Sequence, residues 1–455
     1  MRKARIILTV LVIVLGLAVV GCGIGALVTR HLYLTGNIFM EDGTPYSKKS
    51  ETIDLREQKI SIEYYEELHS KLPQAKILWE VPFQGGWYDP DTRELSISTL
   101  SQEDIPVLDY ITGLAVVDAA GCTDYPQLVA LQERRPEIEV RYQVVVGGKA
   151  FTQDTRNITA TGITDAEAAN VPYLTQLETL HLVDPKAAPA TVQALRDSDV
   201  AVTCEATVLG TTITDGITEL DFSEASLTST EELDDLSYFP ELEKVFLGQC
   251  GVDNESLAAY REEHRAEYKL VWTVQTGKLL TRTDDTFFMP VKYHVYYFQD
   301  EDAYNLRYCE DMICIDLGHM TIHNIDFVSF MPDLQYLILA HTTVLDIGPI
   351  ENCKKLKFLE LDHTGIMDFT PLLGCTALED LNLGKTYGNE DPITQMTWLK
   401  NLWWTGRGYS FKVKMGEALP DTHKEFNANS TVGNGWRKLP NYYAMRDILG
   451  MEYMD

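Results

Sequence analysis

Residues 314–318 read CIDLG, 336–340 read YLILA, 358–362 read FLELD, 380–384 read DLNLG and 401–405 read NLWWT. The apolar anchors Ile315, Leu337, Leu359, Leu381 and Leu402 follow one another at intervals of 22, 22, 22 and 21 residues. Three positions before each anchor stands another apolar residue: Met312, Leu334, Leu356, Leu378 and Leu399. A strand of this length points alternate side chains inward and cannot bury its apolar face alone. Coils repeating at a fixed period stack, and successive anchors share one continuous core. The spacing therefore predicts a solenoid over 312–406, with one short parallel strand per coil.

The segments after the strands repeat as well. DLQYLILAHTTVLDIGPIENCKKL (333–356) and KLKFLELDHTGIMDFTPLLGCTAL (355–378) align without a gap. The alignment places Val344 with Ile366, Ile347 with Phe369, Pro349 with Pro371 and Cys353 with Cys375. The L-x-x-L-x-L pattern is that of a leucine-rich repeat. The stretch resembles the 22-residue repeats of bacterial internalin-type proteins, whose coils are a strand followed by a D-I-x-P-L-like turn. That resemblance implies a binding scaffold and names no ligand. Thr342, Thr364 and Thr386 stand where the family usually has Asn. Asn bridges backbone groups between coils, whereas Thr brings a single hydroxyl to the task.

In an L-x-x-L-x-L strand the residues between the anchors face the concave side. One such column holds Tyr336, Phe358, Asp380 and Asn401, and the next holds Asp316, Ile338, Glu360, Asn382 and Trp403. Just beyond the strands His319, His341, His363 and Lys385 form a third. Aromatic rings on an open face are expected to need a cover. The candidate ligand-binding residues are accordingly Tyr336, Phe358, Glu360 and Trp403, with His319, His341 and His363 beside them. No metal is assigned to the histidines, because a flat column converges poorly on one ion.

A longer repeat precedes these coils. TIDLREQKISIEYYEELHSKLPQAKILWEVPFQGG (52–86) has the grammar strand, amphipathic helix, strand, Gly. The same grammar recurs at 113–148, 179–210 and 244–277, and the equivalent positions Trp79, Tyr142, Cys204 and Trp272 lie 63, 62 and 68 residues apart. Residues 53–311 are read as divergent leucine-rich-repeat-like modules with a period near 63, equal to about three coils. Their last part, 278–311, is an insertion rich in aromatics, including Tyr293, Tyr296, Tyr297 and Tyr304. It is the rival location for a ligand, since loops that interrupt a regular scaffold often carry function. Residues 407–455 lose the period and are expected to cap the last coil, which would otherwise expose its core.

The N-terminus carries Arg2, Lys3 and Arg5 and then an uncharged apolar run over 6–29. Its 24 residues suffice to cross a bilayer about 30 Å thick. Basic residues before the run keep the N-terminus cytoplasmic and place the body outside. An alternative reading has Val19-Val20-Gly21-Cys22 as a lipoprotein box, with Cys22 lipidated. Residues 1–30 are thus a membrane anchor or lipoprotein signal, and 31–52 a juxtamembrane spacer.

The chain of 455 residues has a net charge of −30; the first 35 residues contribute +4 and the last 45 contribute zero, so 36–410 carries −34. Such a body repels nucleic acid and suits an ectodomain or a partner with basic groups. The eight cysteines show no zinc-finger spacing. The chain contains no G-x-x-x-x-G-K-[ST], H-E-x-x-H or G-x-S-x-G motif. The expected fold is an α/β leucine-rich-repeat-like solenoid behind a single N-terminal transmembrane or signal-anchor helix. The expected function is binding of a protein or glycan at the cell surface, without catalysis or cofactor. Alternatives are a structural envelope spacer, or an enzyme with its pocket in 278–311.

Overall fold

Tyr336 pairs in parallel with Phe358, Phe358 with Asp380, and Asp380 with Asn401, so that equivalent residues of successive coils lie side by side. The structure is a computed structural model and describes residues 38–41, 44–428, 430 and 432–452. The apolar run 6–29 and Cys22, on which the anchor and lipidation readings rest, lie outside the described residues. Among the described residues no helix is long and apolar enough to cross a membrane. The chain divides into two compact units, residues 1–203 and 204–455.

The second unit contains a seven-stranded parallel sheet in sequence order. Its strands are β1 (Phe287–Phe288), β2 (Cys314–Asp316), β3 (Tyr336–Ile338), β4 (Phe358–Glu360), β5 (Asp380–Asn382), β6 (Asn401–Trp403) and β7 (His423–Glu425). All five anchors, from Ile315 to Leu402, are fully buried. This is a leucine-rich-repeat fold, and the 22-residue period is its strand register.

The turns explain the rest of the period. Asp346 Oδ1 accepts from the Gly348 amide at 2.7 Å, and Asp368 Oδ1 accepts from the Thr370 amide at 2.8 Å. Each Asp thereby folds its own backbone into a turn. Pro349 and Pro371 follow at the start of the 3₁₀ helices Gly348–Asn352 and Thr370–Gly374, where a fixed φ helps and no amide is missed. At Gly374 a Cβ would lie 2.2 Å from the Glu351 carbonyl oxygen, so adjacent coils can approach there only without a side chain. Cys375 Sγ donates to the Ile350 carbonyl of the preceding coil at 3.3 Å, and Cys353 and Cys375 are both buried. The threonines divide. Thr342 and Thr364 donate to carbonyls of their own coils (Leu339 and Leu361, each 2.7 Å), whereas Thr386 reaches back to Leu361 at 3.0 Å. The single hydroxyl thus bridges coils at one of the three positions.

The segment 278–311 is more regular than an insertion. Phe287 of β1 pairs with Cys314 of β2, so this stretch supplies a coil of its own. Phe288, Phe298 and Tyr308 are buried in it. Upstream in the same unit, Glu219–Phe222, Lys244–Leu247 and Lys269–Val271 form a parallel sheet, with the helix Asn254–Glu263 connecting the last two, and the hairpin Thr273–Thr276 with Leu279–Arg282 follows. Asp253 starts that helix by accepting from the Ser256 amide at 2.9 Å.

The first unit repeats this plan. Thr52–Asp54 pairs in parallel with Lys76–Leu78 across the helix Ile62–Lys71, and the hairpin Val81–Phe83 with Gly86–Tyr88 comes next. Glu94–Ser96, Val116–Asp118 and Glu139–Arg141 form a second parallel set, followed by the hairpin Gln143–Val146 with Lys149–Thr152. Trp79, Tyr142 and Trp272, which the longer repeat makes equivalent, are all buried.

The end of the chain does two things. Helix α1 (Tyr409–Ala418) and β7 continue the last coil, with Phe411 set edge-on to Trp404 at 4.8 Å. The segment 432–451, which includes helix α2 (Pro440–Leu449), instead folds over the inner face of the sheet.

Candidate functional site

The inner columns of β2–β6 are covered by their own chain. Tyr336 is 5% exposed, Phe358 0%, Trp403 1% and Glu360 4%. The cover comes from Trp436, Tyr442, Met445 and Leu449, the last three on one face of α2. Trp436 lies 4.8 Å from Phe358 and 5.3 Å from Trp403, ring centre to ring centre. Trp403 Nε1 donates to the Gly433 carbonyl at 2.9 Å, and Asn441 Nδ2 donates to Asp380 Oδ2 at 3.0 Å. The rings expected to form an open binding surface are therefore the floor of a second apolar core. Burial of aromatics on this scale is what drives the tail onto the sheet.

Acids are trapped under that cover. A cavity of about 220 Å³ is lined by Asp316, Glu360, Met289, Arg437, Met445 and Arg446, among others. Glu360 accepts from Trp436 Nε1 at 2.6 Å. Burial, and next the nearby Asp362, push the Glu360 carboxyl up to about 8, against the Trp436 hydrogen bond and Arg437. Burial likewise raises Asp316, while Asn401 and Asn441 partly offset the rise at Asp380.

The histidine column stands at the ends of the strands. His319, His341, His363 and Lys385 all have left-handed backbone, with φ of 66°, 59°, 54° and 55°. That conformation turns each coil off its strand, and histidine is one of the residue types enriched there. The amide of each donates to a carbonyl of the next coil: Ala340, Asp362, Gly384 and Thr405. The rings stack, His319 on His341 at 4.5 Å and His341 on His363 at 4.0 Å.

The sequence reading missed Asp362. It is 1% exposed, and its Oδ2 lies 3.1 Å from His363 Nδ1 and 3.6 Å from His341 Nε2. Its Oδ1 is buried without a hydrogen-bond partner. Burial, then the neighbouring His363, lower the pKa of His341 and favour its neutral ring. The signal was present: Gly318, Ala340 and Gly384 precede the other members of the column, and an acid precedes only His363.

Other aromatics are exposed, Tyr387 and Tyr409 among them. Tyr293, Tyr296, Tyr297, Tyr304 and Phe330 are each more than half exposed. Tyr304 and Phe330 line a groove of about 630 Å³ with Asp300, Glu301, Asp326 and Arg307. The Arg307 guanidinium sits over the Tyr304 ring at 4.0 Å.

No protein-family model and no curated protein sequence matches the chain. Its structural neighbours are internalins and other leucine-rich-repeat proteins. Internalin C2 of Listeria monocytogenes is 17% identical, with 56% of this chain and 85% of that one covered and a TM-score of 0.22. A second Listeria monocytogenes internalin, InlF, is 14% identical over 83% of this chain and 93% of its own, with a TM-score of 0.24. A leucine-rich-repeat protein of Leptospira interrogans is 13% identical over 74% and 96%, with a TM-score of 0.26.

Proposed function

We propose that this chain is a membrane-tethered, non-catalytic binding module displayed outside the cytoplasm. Its partner is a protein, which docks on the aromatic surface around Tyr296, Tyr297, Tyr304 and Phe330. The observation that carries this reading is the contrast between two aromatic sets. The inner-face rings are sealed under the chain's own tail, while the rings from 293–304 and Phe330 remain in solvent. Large apolar side chains held exposed together mark interaction sites, and tyrosine is enriched in them. The net charge of −34 over 36–410 favours a partner whose contact surface is basic. The tether rests on the apolar run 6–29 with its preceding basic residues.

The test compares capture of envelope and medium proteins by the wild type and by the Tyr296→Ser/Tyr297→Ser double variant. Loss of a discrete partner from the double variant supports the reading, and equal capture contradicts it. Protease added to intact, wall-stripped cells should digest the body; complete protection would contradict the outward orientation.

A further inference from the structure

We propose that His341, Asp362 and His363 form a binding site for a zinc ion or a neighbouring late first-row divalent metal. Among the described residues these three side chains bring one ligand atom each to within 4.8 Å of one another. Two further observations point to a cation. The first is the pair of distances from Asp362 Oδ2, 3.6 Å to His341 Nε2 and 3.1 Å to His363 Nδ1, the latter a hydrogen bond that an ion would replace. A four-coordinate ion with bonds of about 2.0–2.2 Å separates its ligand atoms by about 3.3–3.6 Å, so the donors already stand near ligand spacing. The second is Asp362 Oδ1, buried and without any partner. A carboxylate withdrawn from water in this way calls for a positive charge beside it.

The repeat itself builds the site. One coil supplies His341, and the next supplies both Asp362 and His363. The left-handed backbone at both histidines sets their rings 4.0 Å apart. The stacked rings lie within 18° of parallel, so binding requires both to turn about their Cβ–Cγ bonds and leave the stack. His319 stacks on the outer side of His341. Lys385 replaces the next histidine and ends the column, since an ammonium cannot ligate. Two imidazoles with one carboxylate suit zinc better than calcium or magnesium, which take oxygen ligands. The side chains of His341 and His363 are 37% and 30% exposed, so water completes the coordination.

The experiment titrates the full chain, stripped with a chelator, with Zn²⁺ by calorimetry and with Co²⁺ by visible absorption. One equivalent of Zn²⁺ should bind, and Co²⁺ should show the bands of a four-coordinate ion. Asp362→Asn and His363→Ala should each weaken Zn²⁺ about tenfold or more, while His323→Ala, outside the group, should bind as the wild type does. Absence of a one-to-one event, or undiminished binding by Asp362→Asn, overturns the proposal. If Asp362→Asn does not fold, His341→Ala decides instead: loss supports the site, and unchanged binding overturns it.

Discussion

The indole Nε1 of Trp436 donates to the carboxyl group of Glu360 at 2.6 Å, across 76 positions of sequence and out of reach of solvent. One hydrogen bond thus ties the C-terminal segment to the middle strand of the repeat sheet. Around it the indole packs on Phe358 and Trp403.

Removing the ring should expose how much the segment depends on it. Trp436→Ala should destabilise the second unit by about 3–5 kcal/mol, the range for a buried aromatic. Trp436→Phe should cost less, because it keeps most of the packing and loses the donor to Glu360. Urea unfolding followed by circular dichroism measures both; equal stability of all three chains would contradict the packing described.

Glu360 should make stability fall as the medium turns alkaline. A free glutamate titrates near 4.3, and in the fold this carboxyl titrates at about 8. Between these values the folded chain holds a proton that the unfolded chain releases. The stabilisation is therefore full below about pH 4.3 and is lost as pH rises through about 8. Asp316 and Asp380 are raised too, so they act in the same direction. In the metal-stripped chain, Glu360→Gln should flatten this slope and exceed the wild type in stability at pH 8, by roughly a few kcal/mol. Urea midpoints at pH 5, 6.5 and 8 check both; a parallel slope in the variant would contradict the assignment.

The coils were legible because an interval of 22 residues places each anchor beside its equivalent, and Leu337, Leu359 and Leu381 pair as spaced. The Asp–Pro turns were legible for the same reason. The cover over the inner face was not, because Trp436 meets Glu360 far outside any local period. Tyr442, Met445, Arg446 and Leu449 do recur at helical spacing, but periodicity says that a face is buried and not against what. The grouping of His341 and His363 around Asp362 escaped for a related reason. A column of equivalent positions reads as flat, and the departure lies in the single acid at 362.

Truncation should separate the two roles of the chain's end. Stopping after residue 428 removes the cover and exposes Tyr336, Ile338, Phe358 and Trp403, while α1 and β7 still close the last coil. A hydrophobic dye should bind, and the coils should keep their circular dichroism. Stopping after residue 406 also bares Leu402 and Trp404, both fully buried, and should bring aggregation. Equal behaviour of the two truncations would contradict this division.

The aromatics of 287–304 should likewise divide by burial. Phe298→Ala should cost about 3–5 kcal/mol, since Phe298 is fully buried against Phe288. Tyr296→Ser and Tyr297→Ser should each stay within about 0.5 kcal/mol of the wild type, as exposed positions do. Thermal unfolding of the three variants measures this. Large destabilisation by either tyrosine change would mean that the exposed set serves the fold.

The most direct measurement of the binding surface places a photo-crosslinking residue at position 297 in the full chain on intact cells. Tyr409, 82% exposed on α1, serves as the control position. The account predicts one discrete protein adduct from position 297 and none from position 409. It also predicts that the adduct disappears when Tyr304→Ser and Phe330→Ser are added. No adduct from position 297, or an adduct that survives both substitutions, would contradict it.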